Sequence, residues 1–254
     1  MVTADPVPGQ GHTSERIDPA YYLSSRADAF LYACHLATYD FAARHTAGCE
    51  VLDFGCGTGY GSHRIAGSCA SIVGVDVSED TIEEARRRFS APGLSFRSIR
   101  PAEVAPLPFD DDSFDVVLSF QVYEHLPDTE AYLRQVRRVL RPDGLFICVT
   151  PDRSSRLFRG QRPWNRFHLH EYSQAELAAE LAPHFARVEV AGMSADDELI
   201  SLETRRYRKL RTLTYPVTFP GAPDAIRLPA LRMLQRMERR RQAIDTTRAA
   251  SSAT

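Results

Sequence analysis

Short apolar runs punctuate the chain at Val51–Phe54, Ser71–Val77, Leu94–Ile99, Phe114–Phe120, Leu145–Val149 and Ala186–Val190. Several are apolar at successive positions instead of every second one, which predicts strands covered on both faces. The stretches between them carry helical spacing. From Ala27 to Arg44 the apolar positions Phe30, Leu31, Cys34, Ala37, Phe41 and Ala42 recur at helical intervals. Ser78 can cap a helix over 79–89, and Asp128 or Thr129 can cap one running to Leu140. Ser173-Gln-Ala-Glu176 is a capping box for 174–182. Strand alternating with helix predicts βαβ units and an α/β fold, a doubly wound and mostly parallel sheet. Glu198–Thr204 reads as a last edge strand. Residues 1–18 read as a flexible arm, and Asp18-Pro19 as a helix start.

The sharpest local feature is Val51-Leu52-Asp53-Phe54-Gly55-Cys56-Gly57-Thr58-Gly59-Tyr60-Gly61, which follows a strand and opens a helix. Glycines there let a ligand approach the main chain at the carboxyl end of the first strand. The dinucleotide fingerprint G-x-G-x-x-G fails in every register. Its third glycine would be Tyr60, Ser62 or Arg64. A phosphate-binding P-loop needs a lysine, and none stands here. The pattern is D-x-G-x-G-x-G. Asp76, at the end of the second strand, can accept both hydroxyls of a ribose. The pair suits a nucleoside ligand without a pyrophosphate.

VLDFGCGTGYGS, GVDVS, PLPFDDDSFDVVLSFQVYEHLPD and LRQVRRVLRPDGLFICVTP, in this order, resemble the motifs of class I S-adenosylmethionine-dependent methyltransferases. The branch is the one containing ubiquinone and menaquinone biosynthesis enzymes and many that act on glycans and natural products. The resemblance covers about residues 45–192. It implies a Rossmann-like fold with a seven-stranded sheet, to which the chain is expected to add a helical N-terminal arm and a C-terminal helical extension. The expected organisation is an arm and lid over 1–44, a cofactor-binding domain over 45–204 and an extension over 205–254. His12–Arg16 and the Tyr21-Tyr22 pair would belong to the lid.

The resemblance also implies roles. Gly55, Gly57 and Gly59 would flank the methionine part of S-adenosylmethionine, with Asp53 holding the loop and helping to place the amino group. Asp76 would bind the ribose and Val77 would pack on adenine. Phe120 and Gln121 would border the sulfonium. The family's acidic residue before the L-P-F element is missing from Ser98-Ile99-Arg100-Pro101-Ala102-Glu103, so Ala102 and Glu103 would serve there largely through backbone groups.

Methyl transfer is a displacement in which donor and acceptor must be aligned and water excluded. An alcohol acceptor must also lose a proton, which a histidine suits. His125, just after the fourth strand, is the first candidate base, and Glu124 beside it would orient the imidazole or act itself. His168 is a second, in Trp164-Asn165-Arg166-Phe167-His168-Leu169-His170-Glu171-Tyr172. If extended, that stretch would put His168, His170 and Tyr172 on one side. His168 and His170 with Glu171 could also suggest a divalent metal, but with no further ligand placed none is expected.

Charge divides the chain. Residues 1–204 hold nineteen arginines against thirty carboxylates, a net of −11. Residues 205–241 hold eleven basic groups against Asp224 and Glu238, a net of +9. Asp224–Arg241 carries Ile226, Leu228, Leu231, Leu234 and Met237, several of them three apart. A solvated amphipathic helix, a contact with an anionic membrane and steering of an anionic substrate all suit this piece. No nucleic acid is expected, because no recognition motif accompanies it and the body is acidic.

With 43% apolar and 25% charged residues, the composition excludes a disordered or fibrous chain. No apolar run approaches a membrane span, and the N-terminus lacks the features of a secretory signal. Five cysteines without C-x-x-C spacing favour neither disulfides nor zinc, and fit a reducing cytoplasm. The expected reaction is O-methylation of a small hydroxylated acceptor, a sugar or a secondary metabolite. The alternatives are N- or C-methylation of a natural product or quinone precursor, and a non-catalytic cofactor-binding module. Oligomeric state is left open.

Overall fold

A computed structural model describes residues 26–102, 105–194, 197–234 and 236–237. The arm over 1–18, the start at Asp18-Pro19, the Tyr21-Tyr22 pair, Glu103 and the basic residues Arg239, Arg240 and Arg241 lie outside the described residues.

Contacts divide the chain into two units. The first comprises 32–150 and 183–186 among the described residues. It is entered through α1 (Arg26–Ala43) and continues as β1 (Glu50–Phe54), α2 (Tyr60–Ala66), β2 (Ser71–Asp76), α3 (Glu79–Arg88), β3 (Leu94–Ser98), β4 (Phe114–Phe120), α4 (Thr129–Val139) and β5 (Leu140–Val149). The five strands form one parallel sheet in the order β3-β2-β1-β4-β5. Five strands are present among the described residues where seven were expected. Val51, Leu52, Ile72, Val75, Val117 and Leu118 have no exposed surface, as strands covered on both faces require. The order reverses between β1 and β4, and a sheet wound this way opens its crevice at the carboxyl ends of those two strands.

The helix starts follow the expected chemistry. Ser78 accepts from the Thr81 N–H, Asp128 from the Ala131 N–H, and Ser173 and Glu176 form the reciprocal capping box. In α1, His35, Thr38, Tyr39 and Ala42 are buried, whereas Phe41 and Ala37 face solvent. The helical period is right, but the buried stripe is rotated from the purely apolar one, because Tyr39 has a polar partner inside.

The second unit comprises 151–182 and the described residues from 187 onward, with 26–31. It holds α5 (Arg153–Arg156), α6 (Gln174–Leu181), α7 (Asp197–Thr218) and α8 (224–234). Two strand expectations are corrected here. Residues 186–190 are not a strand: among the described residues no strand bonds to them, and Arg187 pairs with Glu189 two positions on, as on one side of an extended chain. Glu198–Thr204 is helix, the opening of α7. Its apolar residues continue into a stretch whose inward positions Glu203, Tyr207, Leu210, Thr214 and Thr218 repeat every three or four residues. The boundary expected after residue 204 therefore lies inside a helix. Among the described residues no helix is long and apolar enough to cross a membrane.

Candidate active site

The β1–α2 loop uses its glycines in two ways. Gly55, Gly57 and Gly59 have φ of 86°, 54° and 80°, backbone that side chains rarely adopt. At Gly57 an added Cβ would meet nothing within 4 Å, so the loop presents bare backbone to open space. Gly61 is different. A Cβ there would lie 2.0 Å from the Tyr39 ring, so the phenol rests directly on the first turn of α2. The same ring meets Phe120 edge-on, with centroids 4.9 Å apart.

Two carboxylates close the loop. Asp53 is buried, and its Oδ2 accepts from the Ser62 hydroxyl at 2.6 Å and the Tyr39 hydroxyl at 3.0 Å. Its Oδ1 is buried with no hydrogen-bond partner. Burial pushes its carboxyl up to about 6; the Ser62 and Tyr39 bonds oppose the rise and the charge of Asp76 adds to it. Asp76 accepts the Gly57 N–H at 3.2 Å and the Ser78 N–H at 2.9 Å, so it braces the loop and the start of α3 together. Burial, reinforced by Asp53 and Asp76, raises the Cys56 thiol. This is negative, half-dry ground, and an unpaired buried carboxylate oxygen beside exposed backbone suits a cationic group.

At the end of β4, Phe120 is buried and Gln121 has φ 57°, a rare conformation for a side-chain-bearing residue. The Gln121 N–H donates to Val149 O at 2.7 Å, which fixes this turn to β5. A 3₁₀ turn, Tyr123–His125, follows. Glu124 is buried; its Oε2 accepts from the Thr150 hydroxyl at 2.9 Å, and its Oε1 has no hydrogen-bond partner. His125 Nε2 stands 4.0 Å from that Oε1, beyond hydrogen-bond reach. Val77 and Ala102 are half-buried beyond Asp76.

His168 belongs to the second unit. Its Nδ1 lies 2.7 Å from Glu171 Oε1 and its Nε2 lies 2.8 Å from Asn165 Nδ2. With the Asn165 amide donating, Nε2 accepts and Nδ1–H donates. Glu171 also receives the Arg156 guanidinium, Nε at 2.9 Å and Nη2 at 3.2 Å. Burial opposes ionisation of Glu171, but Arg156 and His168 outweigh it and hold the carboxyl below its ordinary range. Arg156 lies over Trp164 at 4.4 Å and Tyr207 at 5.0 Å. The expected alternation fails here: His168 is buried while His170 is exposed against Tyr172, because the segment turns instead of running extended.

Sequence reasoning passed over Tyr39 and Ser62. Ser62 stood in the quoted glycine motif one turn into α2, and Tyr39 in the stripe shared with His35 and Ala42.

Comparison with known proteins gives the family. Residues 52–148 match the family described as "Methyltransferase domain". A probable S-adenosylmethionine-dependent methyltransferase of Mycobacterium tuberculosis is 33% identical over 212 residues, covering 83% of this chain and 74% of that protein. The chain belongs to the class I S-adenosylmethionine-dependent methyltransferases. The methyltransferase is also 38% identical over 165 residues to a probable S-adenosylmethionine-dependent methyltransferase of Mycolicibacterium smegmatis, covering 65% of this chain but 60% of that relative's length. A ubiquinone biosynthesis O-methyltransferase of Rhizobium etli is 36% identical over 115 residues, covering 44% and 45%. In fold the methyltransferase is similar to an S-adenosylmethionine-dependent methyltransferase from Mesorhizobium loti, with a TM-score of 0.53, 20% identity, and 67% and 91% of the two chains covered. S-adenosylmethionine is its cofactor, and the orphaned Asp53 oxygen and the open cradle at Gly57 fit that cation.

Proposed function

We propose that the methyltransferase methylates a hydroxyl of a small molecule, a sugar, glycan or other hydroxylated metabolite, in the cytoplasm. The observation that carries this reading is Glu124: a buried carboxylate with one unpaired oxygen, beside an imidazole, at the carboxyl end of β4. A carboxylate so placed can receive the acceptor's proton, directly or through His125. The bound cofactor supplies an electrophilic methyl group on a sulfonium. In this reading Asp53, Gly55, Gly57 and Gly59 hold its methionine part. Asp76 takes the ribose, Val77 and Ala102 border the adenine, and Phe120 and Gln121 border the sulfonium. His168, saturated by Asn165 and Glu171, is a positioning residue that fixes the 161–172 loop. The O-methyltransferase name of the Rhizobium etli relative supports a hydroxyl acceptor.

The test is transfer of labelled methyl to a panel of hydroxylated acceptors, with the product's new bond assigned by NMR. Glu124→Gln and His125→Ala should each lower kcat by ~10²–10⁴ while cofactor affinity stays within about twofold. A product methylated on nitrogen or carbon, or near-normal kcat in both variants, would overturn the hydroxyl reading.

A further inference from the structure

Exposed large apolar side chains are not spread evenly over this protein. Nine of the thirteen among the described residues lie between Met193 and Met237, in the same stretch that carries the positive charge. Single exposed apolar residues are ordinary, but a concentration marks an interaction surface. On α8, Ile226, Pro229 and Met233 follow one another at three- and four-residue steps, which on a helix makes one stripe. Ile226 is 61% exposed and Met233 63%. The opposite face is spent on the unit's interior, where Arg227 and Leu231 are buried. On α7 the same step pattern joins Leu202, Arg205, Lys209 and Leu213, all exposed.

The charges show what this surface can meet. Arg206 pairs with Glu203, and Arg227 with Asp224, inside the unit. Arg205, Arg208, Lys209 and Arg236 remain exposed beside the apolar stripes. A second copy docked face to face would set like charges against each other, which disfavours that occupant. An anionic bilayer satisfies both halves: leucine, isoleucine and methionine enter the headgroup boundary while the long basic side chains stay at the phosphates. We propose that α7 and α8 form a docking surface that lies on an anionic membrane without spanning it. This surface is independent of the acceptor's identity.

The experiment uses the full chain with sucrose-loaded vesicles of phosphatidylcholine, alone or mixed with phosphatidylglycerol. Pelleting is expected with the mixed vesicles, weakening as salt is added. Arg208→Gln with Lys209→Gln should weaken it by about thirtyfold, two charges each contributing about fivefold. Ile226→Glu with Met233→Glu should weaken it by at least about tenfold, and both pairs should leave the melting temperature unchanged because the positions are exposed. Equal pelleting with neutral and anionic vesicles, no pelleting, or binding untouched by both variants would overturn the proposal. So would a dimer in sedimentation that Ile226→Glu with Met233→Glu converts to monomer, which would assign the stripe to a second copy of the chain.

Discussion

The two units bury their carboxylates differently. In the first, Asp53 and Glu124 each keep one buried oxygen without a hydrogen-bond partner. In the second, Glu171 is equally buried and fully engaged by Arg156 and His168. A buried charge is costly unless paired, so a fold keeps an unpaired one only where something else completes it. Glu171 is completed by the protein, and its network fixes the 161–172 loop. In the proposed reading, Asp53 and Glu124 are completed by what binds.

The comparison makes substitutions cross over. Glu171→Gln should strand the buried Arg156 guanidinium and destabilise the protein by ~3–5 kcal/mol, read as a lowered denaturation midpoint. A loss below about 1 kcal/mol would mean the network is not what holds the second unit's loop.

The pH dependence of Asp53 runs the other way. Its carboxyl is raised in the fold, so the neutral form is favoured there. The resulting stability is present below the unfolded value near 4 and is lost as pH rises through about 6, a change of about 3 kcal/mol. Asp53→Asn should flatten that part of the stability–pH curve. Affinity for the cationic cofactor should rise over the same window as Asp53 ionises, measured by calorimetry. Parallel stability curves for parent and variant would show that Asp53 is not so perturbed.

The smallest effect sharpens the role of Tyr39. Tyr39→Phe removes one hydrogen bond to a carboxylate, worth ~1.5–3 kcal/mol, and leaves the ring in place. Because that bond lowers the Asp53 value, its loss should move the pH midpoint of cofactor binding upward. A changed affinity with an unmoved midpoint would reduce Tyr39 to packing.

The first unit was legible because its constraints are local. The β1 run, the glycines at 55, 57 and 59 and the Ser78 cap each act within a few residues of their position, and Asp76 stands at the end of the next strand. Tyr39 was missed because its reason for burial is a carboxylate fourteen positions away, invisible to an apolar count. The second unit misled twice. Glu198–Thr204 has too few residues to separate strand from helix, and 186–190 can be extended without a partner strand. The fate of His168 depended on Asn165, Glu171 and Arg156 turning inward together, which no spacing rule encodes.

The contact of Tyr39 with Gly61 couples parts of the gene that are usually considered separately. The phenol occupies the volume of the missing side chain, so neither position can change size alone. Gly61→Ala would expel the ring and strip Asp53 of a donor, while a small residue at 39 would leave a void against bare backbone. A relative with a side chain at the Gly61 position is expected to carry a smaller or displaced residue opposite it. A methyltransferase domain cut out from β1 onward would be a lock without its wedge: the matched motif alone, residues 52–148, does not contain everything that shapes its own glycine loop.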